Sequence, residues 1–435
     1  MQIIFKVMKI FSDIGPAGLI PILLFIIGLI TTRNKLILLK NSAFIYLGLL
    51  SFSLLLTFYI NFFNPIINTI LSITNKKFQV IDVGWMVSQK INLFTPTVVQ
   101  FALILIALNI FMLFLRLTRT INIDLWNLWI FLFSGLIVYE ITGIKWMGIL
   151  FSCVIATITF VMADIYAPYL GSYYGLKGVS NPQPQTVVWA PIADFVNFIL
   201  NKIPFIKRIH IFYEEIQYKL GIAGEPLIIG FILGFIIGAI TKYKNFSLIS
   251  FWQSFGYACL SGIYLSIITI LMPRSVTLIY KGLIPIITDI RTFINSKITK
   301  REIYIGLNPI VVAGNPSVIG LSTIMIPLTI YIASILPGNK VLPSADLVII
   351  PLILVWAIGP SRGDIFRSFI SALIIIPLVL LITTDMSGFI TDFLTKKEAI
   401  QFAQGYNNAS SLGMGSNLIY WILTQIIKPI LKLFL

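Results

Sequence analysis

The chain has 435 residues, 58% hydrophobic and only 11% charged, whereas soluble domains carry roughly 25% charged residues, so a water-soluble globule is excluded. Its 31 Lys plus Arg outnumber its 16 Asp plus Glu, for a formal net charge of +15. The positives sit between apolar runs, at Arg33, Lys35 and Lys40, at Lys202, Lys207 and Arg208, and at Lys297, Lys300 and Arg301. That distribution fits the positive-inside bias of membrane proteins and not a nucleic-acid-binding face, so no nucleic acid is expected as a partner.

The N-terminal MQIIFKVMKIF lacks a small-residue cleavage site after its first apolar run, so no removed signal peptide is expected. A membrane span needs about 20 mostly apolar residues. Such runs lie near 14–31, 43–63, 97–115, 146–167, 222–240, 252–272, 318–336, 347–360, 366–384 and 417–435, and 125–143 is a further candidate. The expected fold is therefore an all-α polytopic membrane protein with about 10–11 transmembrane helices. The loops near 201–220 and 288–302, rich in Lys and Arg, are expected on the cytoplasmic side. Cys153 and Cys259 both fall inside apolar runs about a hundred residues apart, so neither a disulfide framework nor a metal site is suggested.

Aligned with itself at an offset of 222, the chain places Ile81, Gly84, Asp124, Leu125 and Lys145 on Ile303, Gly306, Asp346, Leu347 and Arg367; Asp164 matches Asp385 one residue short of that offset. These anchors coincide with loop-to-span transitions and suggest a duplication. An odd number of spans per half would make the halves inverted repeats. The division is residues 1–220, with a re-entrant hairpin near 172–200, and residues 221–435, with a hairpin near 390–417. The hairpins are read from two weakly apolar, turn-rich stretches, GLKGVSNPQPQTVVWAPI from Gly175 and GYNNASSLGMGSN from Gly405. Aqueous loops are the alternative reading. Irregular backbone at membrane depth is tolerated only where protein or a water-filled cavity satisfies it, so such hairpins are candidates for lining a solute site.

No Walker loop, zinc pattern or dinucleotide-binding glycine pattern is present, so no catalytic residue, metal or cofactor is expected. The single histidine, His210, lies in KRIHIFYEE and reads as a solvated loop residue. Polar residues remain at the borders of apolar segments: Asp82, Trp85, Asp124, Asn127, Glu140, Glu225, Asn308, Asn315, Asn339 and Asp346. A carboxylate at the bilayer centre costs at least about 2.5 kcal/mol, which makes any deep one a functional candidate. Glu225, between Gly224 and Pro226, suits either a polyol hydroxyl or the capping of a helix start. Amides offer donors and acceptors together, carboxylates accept from paired hydroxyls, and an aromatic face covers C–H groups, so this set suits a sugar or sugar alcohol.

Several segments taken together resemble the galactitol-type enzyme IIC of the bacterial phosphoenolpyruvate-dependent phosphotransferase system, which is related to the ascorbate-type permeases. They are VIDVGW at 80–85, LTRTINIDLWNLW at 117–129, GEPLIIGFILG at 224–234, MPRSVTLIYKGLIPI at 272–286, REIYIGLNP at 301–309 and LPGNKVLPSADL at 336–347. The resemblance runs from about Asp13 to Trp421 and implies a homodimeric permease of the bacterial plasma membrane, surrounded by lipid. It further implies a sugar-alcohol substrate and phosphorylation through separate EIIB and EIIA components. Departures occur at Ile130, Gln183 and Asn315, where the galactitol members carry His, and at Asn308, where they carry Asp. An ion-coupled secondary transporter of the same fold is the alternative. The solute is expected between the first hairpin, with Asn181, Gln183 and Gln185, and the border residues Asp82, Trp85, Asn127, Glu225, Asn308, Asn315 and Asp346.

Overall fold

The computed structural model describes residues 18, 20–74, 76–84, 87, 95–242, 248–297, 301–397, 400 and 406–431. Trp85 and residues 401–405 of the second expected hairpin lie outside them. Among the described residues, seven helices are long and apolar enough to cross a membrane, or eight if a pair bent by 63°, Tyr218–Gly224 and Pro226–Lys242, counts as one span. The expected 10–11 included three runs that form shorter apolar helices, Ile20–Thr31, Ile349–Ile358 and Leu418–Lys428. The chain is an all-α polytopic membrane protein, with a few very short strands.

The first described helices are α1 (Ile20–Thr31) and the 40-residue α2 (Lys35–Thr74). They are followed by β1 (Val80–Asp82), α3 (Pro96–Phe114), β2 (Thr120–Asn122), α4 (Leu125–Thr142) and α5 (Lys145–Ser172). The first hairpin region holds β3 (Val179–Ser180) and leads into α6 (Ala190–Lys202), α7 (Tyr213–Leu220) and α8 (Pro226–Lys242). The 50-residue α9 (Leu248–Lys297) precedes β4 (Tyr304–Gly306), α10 (Pro316–Ile335), α11 (Ile349–Ile358), α12 (Ile365–Asp385) and α13 (Ser387–Lys396). The chain closes with β5 (Asn408–Ser410), the single turn α14 (Leu412–Gly415) and α15 (Leu418–Leu431). The expected loop at 288–302 is thus corrected: α9 continues helical to Lys297, because apolar positions at helical spacing, Ile286, Ile287, Ile290 and Ile294, keep one face buried.

Helices α2, α8 and α9 pack against one another. The seam between α8 and α9 depends on Gly230, Gly234 and Gly238, spaced four apart. A Cβ at Gly234 would stand 2.4 Å from the Ser261 carbonyl oxygen, so only glycine permits this approach. Ser266 Oγ and Thr269 Oγ1 donate to the carbonyls of Leu227 and Pro226, adding hydrogen bonds across the seam.

The strands lie between the helices, and every pairing in their two small sheets is parallel and long-range. β4 lies between β2 and β3, with Thr120 opposite Tyr304 and Val179 opposite Ile305. β1 pairs with β5, Ile81 opposite Ala409, and Val80 also bridges to Val341. Gly306 makes the three-stranded crossing possible: a Cβ there would meet Pro182 Cγ at 2.9 Å and Asn122 Cα at 3.0 Å. Within the two turn-rich stretches, residues 178–190 and 409–417 are buried, whereas Gly175, Lys177 and Asn407 are exposed.

Candidate functional site

The strand ends carry the polar residues that the sequence singles out. Asp124 precedes α4 and is 1% exposed. Its Oδ1 accepts from Trp126 N at 2.8 Å, the ordinary N-cap arrangement, and its Oδ2 accepts from Asn308 N at 2.8 Å. One carboxylate therefore ends a helix and holds the backbone leaving β4. Asp82 has the same double use at the end of β1: Oδ1 accepts from Gly84 N at 3.0 Å, and Oδ2 accepts from Ala345 N at 2.8 Å and Asp346 N at 3.1 Å. Asp346, completely buried, accepts Gly413 N at 2.7 Å. Asp82 and Asp124 both lie outside the long apolar helices. Burial lifts each carboxyl above the ordinary carboxylate range, Asp346 adds to the rise at Asp82, and the backbone N–H groups oppose it.

These bonds bring the two turn-rich stretches together. Gln185, in the first, donates from Nε2 to the carbonyl of Gly413, in the second, at 3.0 Å. A continuous path therefore runs from Asp82 through Asp346 and Gly413 to Gln185. Asn181 is wholly buried and donates to the Leu307 carbonyl at 2.9 Å, while Asn127, equally buried, donates to Asn122 Oδ1 at 3.2 Å. Gln183 stays local, its Oε1 accepting from Thr186 Oγ1 at 3.2 Å. Three amide oxygens, Asn127 Oδ1, Asn181 Oδ1 and Gln185 Oε1, are buried without a hydrogen-bond partner among the described residues. An unsatisfied buried acceptor costs about 1–3 kcal/mol.

The chain matches the family described as the PTS system sugar-specific permease component over residues 9–405. It belongs to that family. Two curated relatives are galactitol-specific EIIC components of the PTS, from Escherichia coli strain K12 and from Escherichia coli O157:H7. Each is 30% identical over 424 residues, covering 98% of this chain and 91% of the relative. A third, a putative permease IIC component of strain K12, is 32% identical over 416 residues, covering 96% of this chain and 92% of the relative. This permease is accordingly a multi-pass protein of the bacterial inner membrane.

The other expected site residues make the following contacts in the permease. Asn308 Oδ1 accepts from Ile310 N at 3.0 Å, capping the 3-10 turn Pro309–Val311, and Asn315 Oδ1 accepts from Ser317 N at 3.0 Å, capping α10. Asn315 Oδ1 also accepts from the Tyr173 hydroxyl at 3.4 Å. Glu225 is exposed at the bend before α8, which packs on α2 and α9. Its carbonyl accepts from Ile228 N and Ile229 N, so its backbone makes the helix-start contacts. Asn339 closes its own loop on the carbonyls of Ala333 and Val341, and Glu140 pairs with Lys397 at 2.5 Å. Trp85 lies outside the described residues.

Two features escape sequence reasoning. Gly413 contributes through its backbone alone, and glycine in a turn-rich stretch carries no such signal. His210 is exposed, as expected of a loop residue, and it is also paired: its Nδ1 lies 2.8 Å from Oδ2 of the buried Asp364, which Arg367 Nε also approaches at 3.3 Å. No sequence pattern links residues 154 positions apart.

Proposed function

We propose that this permease binds a galactitol-like sugar alcohol beside the contact of its two hairpins and passes it inward, a separate EIIB, recharged by EIIA, supplying the phosphoryl group. The observation that carries the reading is the trio of buried, unpartnered amide oxygens of Asn127, Asn181 and Gln185. They offer neutral acceptors to hydroxyl donors and demand no charge neutralisation, as a sugar alcohol requires and an anionic solute does not. Support comes also from the galactitol-specific relatives.

The transport geometry rests on two inverted halves, 1–220 and 221–435, acting in a homodimer. Reciprocal strand pairing supports the halves: β4 joins β2 and β3 of the first, as β1 joins Val341 and β5 of the second. Two such halves rocking around a fixed site would give alternating access. The test is galactitol uptake in membrane vesicles with and without phosphoenolpyruvate and the soluble phosphotransferase proteins. Uptake should depend on them and deliver phosphorylated solute; accumulation of unmodified galactitol on an ion gradient alone refutes the coupling and favours a secondary transporter.

A further inference from the structure

A cavity of about 880 Å³ lies between α6, the segment after it and the loop leading into α12. Its charged lining consists of Lys207, His210, Arg362 and Arg367 against Asp194 and Asp364. The two carboxylates are already engaged. Asp364 is 1% exposed, takes Arg367 and His210 as ion-pair partners and caps Arg367 N, while Asp194 accepts from the Tyr169 hydroxyl at 3.2 Å. Arg367 is buried too, and donates to Asn201 Oδ1 at 2.8 Å and the Lys207 carbonyl at 3.4 Å, which fixes the rim in place. Lys207 and Arg362 remain exposed in the lining, so the cavity presents an excess of positive charge. Arg362 adopts φ 52, a left-handed conformation costly for a side chain of its size.

We propose that this cavity binds a phosphoryl group carried on another molecule. The exposed cations Lys207 and Arg362, beside the Asn201 amide, suit a tetrahedral oxyanion, which needs donors from several directions. The volume exceeds that of a bare anion and leaves room for the group that carries it. The rim belongs to the Lys- and Arg-rich segment that the positive-inside bias assigns to the cytoplasm. Tyr169 in the cavity wall and Tyr173, which donates to Asn315 at the start of α10, are about one helical turn, ~5.4 Å, apart on α5 and its cap. Two carriers share the chemistry, the phosphorylated product leaving the permease and the phosphorylated partner approaching it, and the assignment of either carrier rests on the function proposed above.

The experiment is calorimetric titration of inorganic phosphate into the purified full-length permease in detergent, with chloride at matched ionic strength as control. Wild type should bind phosphate saturably, and Arg362→Gln and Lys207→Gln, both at exposed positions, should each weaken binding roughly 3- to 10-fold. Heats indistinguishable from chloride, or unchanged affinity in the double variant, overturn the proposal. Competition identifies the carrier: displacement by galactitol phosphate points to the product, displacement by phosphorylated EIIB to the partner, and displacement by neither overturns the proposal. Galactitol titrated into the same preparation separates the two readings, because failure there with phosphate binding intact defeats the sugar-alcohol assignment and leaves the phosphoryl site standing.

Discussion

Asp124 accepts hydrogen bonds with both carboxylate oxygens, Oδ1 from Trp126 N and Oδ2 from Asn308 N, so Asp124→Asn cannot keep both. Whichever way the amide turns, its NH2 faces a backbone N–H donor. The lost bond is to a charged acceptor, typically about 1.5–3 kcal/mol, and the stranded donor adds to it. Relief from burying a charge offsets part of the loss, which leaves a net destabilisation of roughly 2 kcal/mol, or about 30-fold in the folded-to-unfolded ratio. The assay is thermal unfolding of the detergent-solubilised permease, followed by size-exclusion chromatography, beside Asn308→Ala. That control removes the Asn308 side chain, which serves Ile310 N, and keeps the backbone N–H that Asp124 uses, so by itself it leaves the bond from Asn308 N to Asp124 in place. An unchanged melting temperature in Asp124→Asn would refute the role of this carboxylate as a tie between β4 and α4.

Asn181→Ala should weaken galactitol binding by roughly 2-fold to 13-fold, the worth of one neutral hydrogen bond, as measured by titration of purified protein. Glu225→Ala should leave galactitol affinity unchanged, since Glu225 is exposed away from the hairpin contact; a clear loss would return it to the site. Gly234→Ala should destabilise the permease by about 1–3 kcal/mol in the same unfolding assay, because its Cβ would meet backbone on α9. Cysteines placed at Lys145 and at the exposed Arg362 should label from opposite membrane faces in sealed vesicles, and labelling from one face would refute the inverted halves.

Hydropathy is summed along the chain, and so is the loop charge that orients a span. For that reason the all-α polytopic class and the borders of most helices were legible in the residues alone. The candidate site was legible to the extent that polar residues stood at span borders, where Asp82, Asp124, Asn181 and Asp346 cannot be buried without partners. Which partners they find was decided by tertiary structure. Strands of two or three residues have no periodicity to read, and β1 meets β5 only across a separation of more than 300 residues. Glu225 and Asp124 look alike as carboxylates beside an apolar run, yet one is exposed at a bend and the other joins two elements. Likewise His210 and Asp364 become a buried-edge pair only because the segment before α7 folds back on the start of α12, where Ile365 N donates to the Ile211 carbonyl at 2.7 Å. Burial and partnership depend on which distant backbone closes over a side chain, and local sequence does not encode that directly.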